Sequence, residues 1–268
     1  MTEAETRDAS DDQEPAEWWR AGRRPRWKDC LAAIEQLTPL ARVPTARIGR
    51  SALFYPLVGL LLGAVWVGTD YAAGTALGVS RLRTAIAIAA WLVISGGRRL
   101  RGFAQASAAL SAGRDRVRAI TLMGGRSVGF VGALGTLLML TLQAWSLAKL
   151  VHLRALALLF APLLSCWSMV VLVHGSRAAR TDGRQVKYAS EVGFHEFALT
   201  SVFTFGLVFS LAEATGIFIG ACVGAAIVLV RVGYHRWLSG VTDAVVAAGA
   251  EATFTLVLVL AAVLEGGL

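Results

Sequence analysis

The 268-residue chain is apolar and basic: 56% of its residues are hydrophobic, 16% are charged, and its net charge is +8. A water-soluble domain is usually about half apolar and a quarter charged, so this composition favours a membrane as the solvent. Several apolar windows approach the roughly 20 residues needed to cross a bilayer, and they lack the alternation of a transmembrane strand. The sequence therefore predicts an all-α fold, a polytopic integral membrane helical bundle.

The N-terminal segment is acidic and then becomes basic. Its first 19 residues hold seven of the 18 acidic residues, and a Trp-bearing basic stretch continues to Lys28. This composition predicts a disordered tail over residues 1–27, followed by a membrane domain over residues 28–268. Apolar positions 30, 31, 34 and 37 then indicate an amphipathic helix that either lies at the membrane surface or packs on the bundle.

Seven apolar stretches predict about seven transmembrane helices, and the pattern is also compatible with six or eight. The second stretch is short and ends at Gly96 and Gly97, which suits a broken or re-entrant helix. Only residues 213–215 separate the fifth and sixth stretches, which is typical of a tight helical hairpin. The predicted spans are 52–70, 84–97, 128–148, 155–174, 198–213, 215–231 and 244–264.

The basic residues are distributed unevenly around these spans. Of the 26 Lys and Arg residues, 22 lie before the first span or in the 98–126, 177–187 and 231–236 segments, and four lie on the other side. This asymmetry follows the positive-inside rule and predicts a cytoplasmic N-terminus and an external C-terminus. We therefore expect a multi-pass protein of the cell inner (cytoplasmic) membrane, in contact with membrane lipid. The positive charge requires no nucleic-acid partner.

Several short motifs of glycine, proline and polar residues lie between about residues 33 and 253, each occurring once. They are Leu37-Thr38 with Arg42-Val43-Pro44, Arg50-Ser51 followed by Pro56-Leu57-Val58-Gly59-Leu60, Gly96-Gly97 with Leu100, Gly102 and Ala104, Ala179-Arg180 with Gly183, and Gly240-Val241-Thr242 with Glu251.

In these motifs the chain resembles the cobalamin synthase family, the adenosylcobinamide-GDP ribazoletransferases. The resemblance implies a transferase that joins α-ribazole or its phosphate to adenosylcobinamide-GDP and releases GMP in cobalamin biosynthesis. It also implies Mg²⁺ as cofactor, because a hard cation held by carboxylates offsets the charge of a diphosphate under attack. The implied partners are a corrinoid or nucleotide-diphosphate ligand and other enzymes of cobalamin assembly.

The chain departs from the family pattern at its acidic positions. The histidine of the family's Gly-Gly-Leu-His-Leu-Asp-Gly-Leu-Ala-Asp-x-x-Asp-Gly loop falls on Arg99, and its three aspartates fall on Arg101, Gln105 and Ala108. A guanidinium stays charged and repels a divalent cation at contact distance. The resemblance therefore predicts a catalytically degenerate member that does not retain magnesium, and it assigns no metal ligands.

Two acidic residues remain as candidates for catalysis. Glu251 matches the family's glutamate, and Asp243 lies one place before the position of an aspartate. On a helix Glu251 would lie about 12 Å deeper than Asp243, at a depth where an ionisable group is either functional or paired with a neighbour. Asp243 either belongs to the site or caps the final helix together with Thr242.

The other candidates carry groups that bind anions. Residues 98–126 hold seven arginines against one acid, Asp115, which suits a site for a pyrophosphate, a nucleotide or a lipid headgroup. The alternative is an ordinary basic cytoplasmic loop next to anionic lipids. The candidates for substrate binding are Arg98, Arg99, Arg101, Gln105, Arg126 and Arg180.

The sequence is compatible with three functions, and two of them involve the ligands of the cobalamin synthase family. A degenerate relative would bind a corrinoid, a nucleotide or a partner enzyme without catalysis. An altered transferase would act on a diphosphate substrate with Arg101, Asp243 and Glu251 in new roles. A small membrane transporter is favoured by the intramembrane Glu251 alone.

Overall fold

A computed structural model of the protein describes residues 27–38, 51–78, 80–125, 127–176, 179 and 192–266. Helices dominate these residues, as predicted, whereas the predicted tail up to residue 26 lies outside them. The elements are α1 (Trp27–Leu37), a 3-10 turn (Ala52–Phe54), α2 (Tyr55–Leu77), α3 (Arg81–Ser95), α4 (Arg98–Ala109), a second 3-10 turn (Leu110–Ala112), α5 (Arg116–Gly124), α6 (Gly129–Lys149), α7 (Arg154–Val173), α8 (Phe194–Leu238) and α9 (Asp243–Glu265).

Five stretches of the described chain are long and apolar enough to cross a membrane. They are the first 3-10 turn with α2, and the helices α6, α7, α8 and α9. Of these, α7 is the central helix, because 89% of its most apolar stretch is buried inside the bundle, against 22% for that of α6. The protein is a multi-pass helical membrane protein, and its outer helices expose their apolar side chains to lipid.

Helix α8 folds back on itself at Glu213, where φ is 43°. Gly216 contacts the carbonyl oxygen of Val208, and a Cβ at Gly220 would lie 3.1 Å from a ring carbon of Phe205. Positions 208 and 216 would be about 12 Å apart on a straight helix. The predicted hairpin is therefore confirmed, and its two glycines allow the halves to pack closely.

Helix α3 is too short to cross the bilayer alone. Its 15 residues span about 22 Å, against a hydrocarbon core of about 30 Å. It ends at Gly96 and Gly97, whose φ values of 61° and 64° lie in the region that glycine adopts without strain. The chain continues from these glycines into α4, so the second apolar stretch has the broken form that its length predicts.

The described part of the basic segment, residues 98–125, is largely helical rather than a loop, and in this respect the sequence interpretation was wrong. It forms α4 and α5, and α4 packs between α6 and α9. Gly102 contacts the side chain of Ala247, and a Cβ at Gly132 would lie 2.5 Å from the carbonyl oxygen of Ala104. Small residues give α4 a face that fits inside the bundle, even though its other face carries arginines.

Two further sets of contacts hold the bundle together, one at its outside and one in its interior. Helix α1 packs on the bundle through the buried Ala33 and Leu37, which is one of the two arrangements the sequence left open. Inside, the rings of Trp66 and Trp91 both stack on Phe254, with centroids 5.2 and 4.6 Å away. These aromatic contacts join α2, α3 and α9.

Candidate functional site

Glu251 lies inside the bundle, on the third turn of α9. It is 2% exposed, and its Oε1 accepts a hydrogen bond of 2.7 Å from Nε2 of Gln143 on α6. The same amide donates to Oγ1 of Thr255, one turn further along α9, at 2.8 Å. A carboxylate at this depth is costly to bury unless it is paired, and here an amide supplies the hydrogen bond.

Arg99 also points into the bundle, from the first turn of α4. It is 4% exposed; its Nη1 donates to Oγ of Ser165 at 2.8 Å and its Nη2 to Sγ of Cys166 at 3.1 Å. The guanidinium carbon lies 5.5 Å from the ring centroid of Trp91, which is a cation–π distance. Three helices therefore hold this buried cation.

The two buried charges belong to one cluster. Ser165 accepts from Arg99 and donates to the carbonyl oxygen of Ala250, next to Glu251, at 2.8 Å. We call Arg99, Gln143, Ser165, Glu251 and Thr255 the buried polar cluster. Its shared hydrogen bonds join α4, α6, α7 and α9.

Asp243 lies away from this cluster, as the exposed first residue of α9. Thr242 is the N-cap of the helix, and its Oγ1 accepts a hydrogen bond of 3.2 Å from the backbone N–H of Val245. The eight residues between the two acidic candidates correspond to about 12 Å along the helix. Asp243 and Glu251 are therefore at different depths, as expected from their spacing.

The other candidates on α4 lie closer to its surface. Nη1 of Arg98 donates to the backbone oxygen of Glu35 on α1 at 2.8 Å, and Arg101 is exposed. Nε2 of Gln105 donates to the backbone oxygen of Gly125 at 2.9 Å, which ties α4 to the end of α5. The two remaining candidates, arginines 126 and 180, lie outside the described residues.

The face of α4 at positions 101, 105 and 108 offers no carboxylate for Mg²⁺ to bind. These positions are spaced i, i+4 and i+7 and share one side of the helix. They carry an exposed guanidinium, an amide bonded to a carbonyl, and a buried methyl group. Magnesium favours carboxylate and water oxygens, and none of these groups is a carboxylate. Across the described ranges, no three His, Cys, Asp or Glu side chains come together as a metal site. The residues do not fit the ion.

Sequence reasoning missed four partners of the buried charges, namely Gln143, Ser165, Cys166 and Trp91. Gln143 could have been identified from the sequence, because an amide in the middle of an apolar span is rare and usually has a polar partner. Ser165 and Trp91 had none, since a serine or a tryptophan in a transmembrane helix is common. Their contacts with Arg99 depend on the inward turn at Gly96 and Gly97.

The fold and the site together define a multi-pass helical membrane protein with a charged cluster buried between its central helices. The sequence model of cobalamin-5-phosphate synthase matches residues 29–262, so the chain belongs to the cobalamin-5-phosphate synthase family. The resemblance carried by the motifs is thereby confirmed at the level of the family.

Curated relatives support the same family. The chain is 32% identical to the adenosylcobinamide-GDP ribazoletransferase of Geotalea daltonii over 195 residues, which cover 73% of this chain and 78% of the relative. It is 26% identical to the protein of that name from Roseiflexus sp. over 239 residues, 88% and 87% of the two chains. No solved structure gives a significant match.

Proposed function

We propose that the protein binds a corrinoid or nucleotide-diphosphate ligand in the membrane and does not carry out the ribazole transfer for which its relatives are named. The observation that carries this proposal is the inward position of Arg99. A cation with three partners, on the helix whose frame matches the family's acidic loop, makes the surroundings of Glu251 hostile to a second cation. Under this proposal the buried polar cluster has a structural role.

The outer face of α4 supports the binding half of the proposal. Arg101 is exposed there, and a guanidinium fork matches the oxygens of a diphosphate. The same face carries no carboxylate that would repel such an anion, since Gln105 and Ala108 occupy the other two positions. Ligand binding at this face would need no metal, because arginine supplies the positive charge directly.

We further propose that this face is cytoplasmic, within a membrane domain over residues 28–268 of about seven spans. The distribution of 22 basic residues against four supports the orientation. Four basic residues lie on the other side of the membrane in this orientation: Arg81, Arg83, Lys149 and Arg154. Two of them, Arg83 and Arg154, are paired with Asp70, which offsets part of their charge. Cysteine labelling at Ser80 and at Gly113 in intact cells would test the orientation: Gly113 should be protected from an impermeant reagent.

Binding and transfer are measured separately on the full chain in nanodiscs. Equilibrium dialysis with adenosylcobinamide-GDP, in the presence of a chelator, should show saturable binding. Arg101→Ala should weaken that binding by at least about tenfold, because a hydrogen bond to a charged group is lost. Arg114→Ala, which removes another exposed arginine just beyond α4, is the matched control. Saturable binding that requires Mg²⁺ would contradict the proposal.

A transferase with an altered site is the second candidate, favoured by the same exposed Arg101. In that case the complete mixture with α-ribazole should release GMP, and both Arg101→Ala and Glu251→Gln should abolish the release. Release by the wild-type protein that is lost in Glu251→Gln would replace the first proposal with this one. Absence of release together with intact binding supports the first.

A further inference from the structure

A second charged group lies at the opposite end of the bundle, where α2, α3 and α7 meet. Asp70 is 3% exposed, and its Oδ2 lies 2.6 Å from Nη2 of Arg83, while its Oδ1 lies 2.7 Å from Nη2 of Arg154. Nε of Arg154 donates to the same carboxylate at 3.0 Å. Two guanidinium groups thus share one carboxylate, so the group keeps an excess positive charge.

The two arginines of this group, Arg83 and Arg154, lie in the wall of a cavity of about 300 Å³. Arg81, Arg83 and Arg154 line the cavity together with Ser80 and Thr84. Arg81 is exposed, and its side chain has no hydrogen bond or ion pair within the described part of the chain. With three guanidinium groups against one carboxylate, the cavity is suited to the oxygens of a phosphate group.

An apolar groove of about 590 Å³ continues from this cavity between α3 and α6. The two spaces share Arg81, Thr84 and Ala148 in their walls. On the α3 side the groove extends from Arg81 to Leu92, which is about 16 Å along the helix. Apart from Arg81 and two threonines it is lined by alanine, leucine and isoleucine, so it suits a hydrocarbon chain rather than a solvated ligand.

We propose that this end of the bundle binds an anionic phospholipid. The phosphate lies in the cavity beside Arg81, and one acyl chain follows the groove between α3 and α6. The charge excess favours an anionic headgroup over a zwitterionic one, and the continuous apolar groove favours a lipid over a free anion. The lipid also fills the space left by α3, which is too short to cross the bilayer itself.

The test uses the full chain in detergent and measures bound lipid by native mass spectrometry. Phosphatidylglycerol should bind at least about tenfold more tightly than phosphatidylcholine with the same acyl chains, since roughly fivefold is expected for each uncompensated guanidinium. Arg81→Gln should reduce this preference about fivefold. Arg116→Gln, an exposed arginine at the start of α5, is the matched control and should leave it unchanged.

A second variant tests the groove. Ala89 is exposed and lines the groove, so Ala89→Phe should fill it and weaken phosphatidylglycerol binding, while Ala221→Phe on the exposed surface of α8 should not. Binding that survives both Arg81→Gln and Ala89→Phe would overturn the proposal. So would full competition by glycerol phosphate at similar concentration, which would show a site for a free anion.

Discussion

The shared carboxylate of Asp70 should be one of the most important single groups for stability. Asp70→Asn removes the only negative charge that faces Arg83 and Arg154, within the part of the chain that the structure describes. The two arginines differ in their alternatives. The Arg83 side chain is 22% exposed, whereas that of Arg154 is 9% exposed and has less access to water. The cost therefore falls mainly on Arg154.

The expected magnitude follows from that difference. Removing one partner of a buried ion pair typically costs about 3–5 kcal/mol, because the other charge stays buried without compensation. For a chain of this size each kcal/mol corresponds to about 2–4 °C, so Tm should fall by roughly 6–20 °C. Replacing Arg154 by Met in the same protein removes the uncompensated charge and should recover part of the loss.

The assay is thermal unfolding in one detergent, followed by intrinsic tryptophan fluorescence. The matched control is Asp115→Asn, because Asp115 is an exposed N-cap of α5 and asparagine caps equally well. Its Tm should stay unchanged. If Asp70→Asn lowers Tm no more than Asp115→Asn does, or if the Arg154→Met addition recovers nothing, the reasoning about the shared carboxylate is refuted.

Three further substitutions test other contacts by the same unfolding assay. Gln143→Leu should cost roughly 1–3 kcal/mol by leaving the Glu251 carboxylate without its donor, and adding Glu251→Leu should recover much of that loss. Thr242→Ala should cost about 1 kcal/mol by removing the N-cap of α9. Trp66→Phe should cost about 1–3 kcal/mol, because the 2.6 Å hydrogen bond from its Nε1 to the Ala87 carbonyl is lost. Losses below about 0.3 kcal/mol would contradict these assignments.

The positions of the long helices could be predicted from the sequence because lipid requires long apolar stretches. The fold at Glu213 was also predictable, since only three residues separate two apolar stretches there. The path of α4 was not. The seven arginines of residues 98–126 indicate a surface loop. Only the small residues of α4, its alanines, serine and glycine, explain how one face of the helix fits against α6 and α9.

The candidate site was predicted in part. Glu251 was expected at depth, and the structure buries it. Arg99 was expected in a basic cytoplasmic loop as a candidate for substrate binding, but it lies inside the bundle. The reason is a tertiary one: Ser165 and Cys166, 66 and 67 residues further along the chain, accept its hydrogen bonds. The ion group at Asp70 depends likewise on contacts that no local pattern reveals.

GMP release tests the central claim most directly. The full-length protein in nanodiscs is incubated with adenosylcobinamide-GDP, α-ribazole and Mg²⁺, beside a reaction without protein and one with Glu251→Gln. We expect the same background of GMP in all three reactions, because the proposed site presents guanidinium and amide groups, whereas magnesium favours carboxylate and water oxygens. GMP and a cobalamin product formed with the wild-type protein, and lost in Glu251→Gln, would contradict the account.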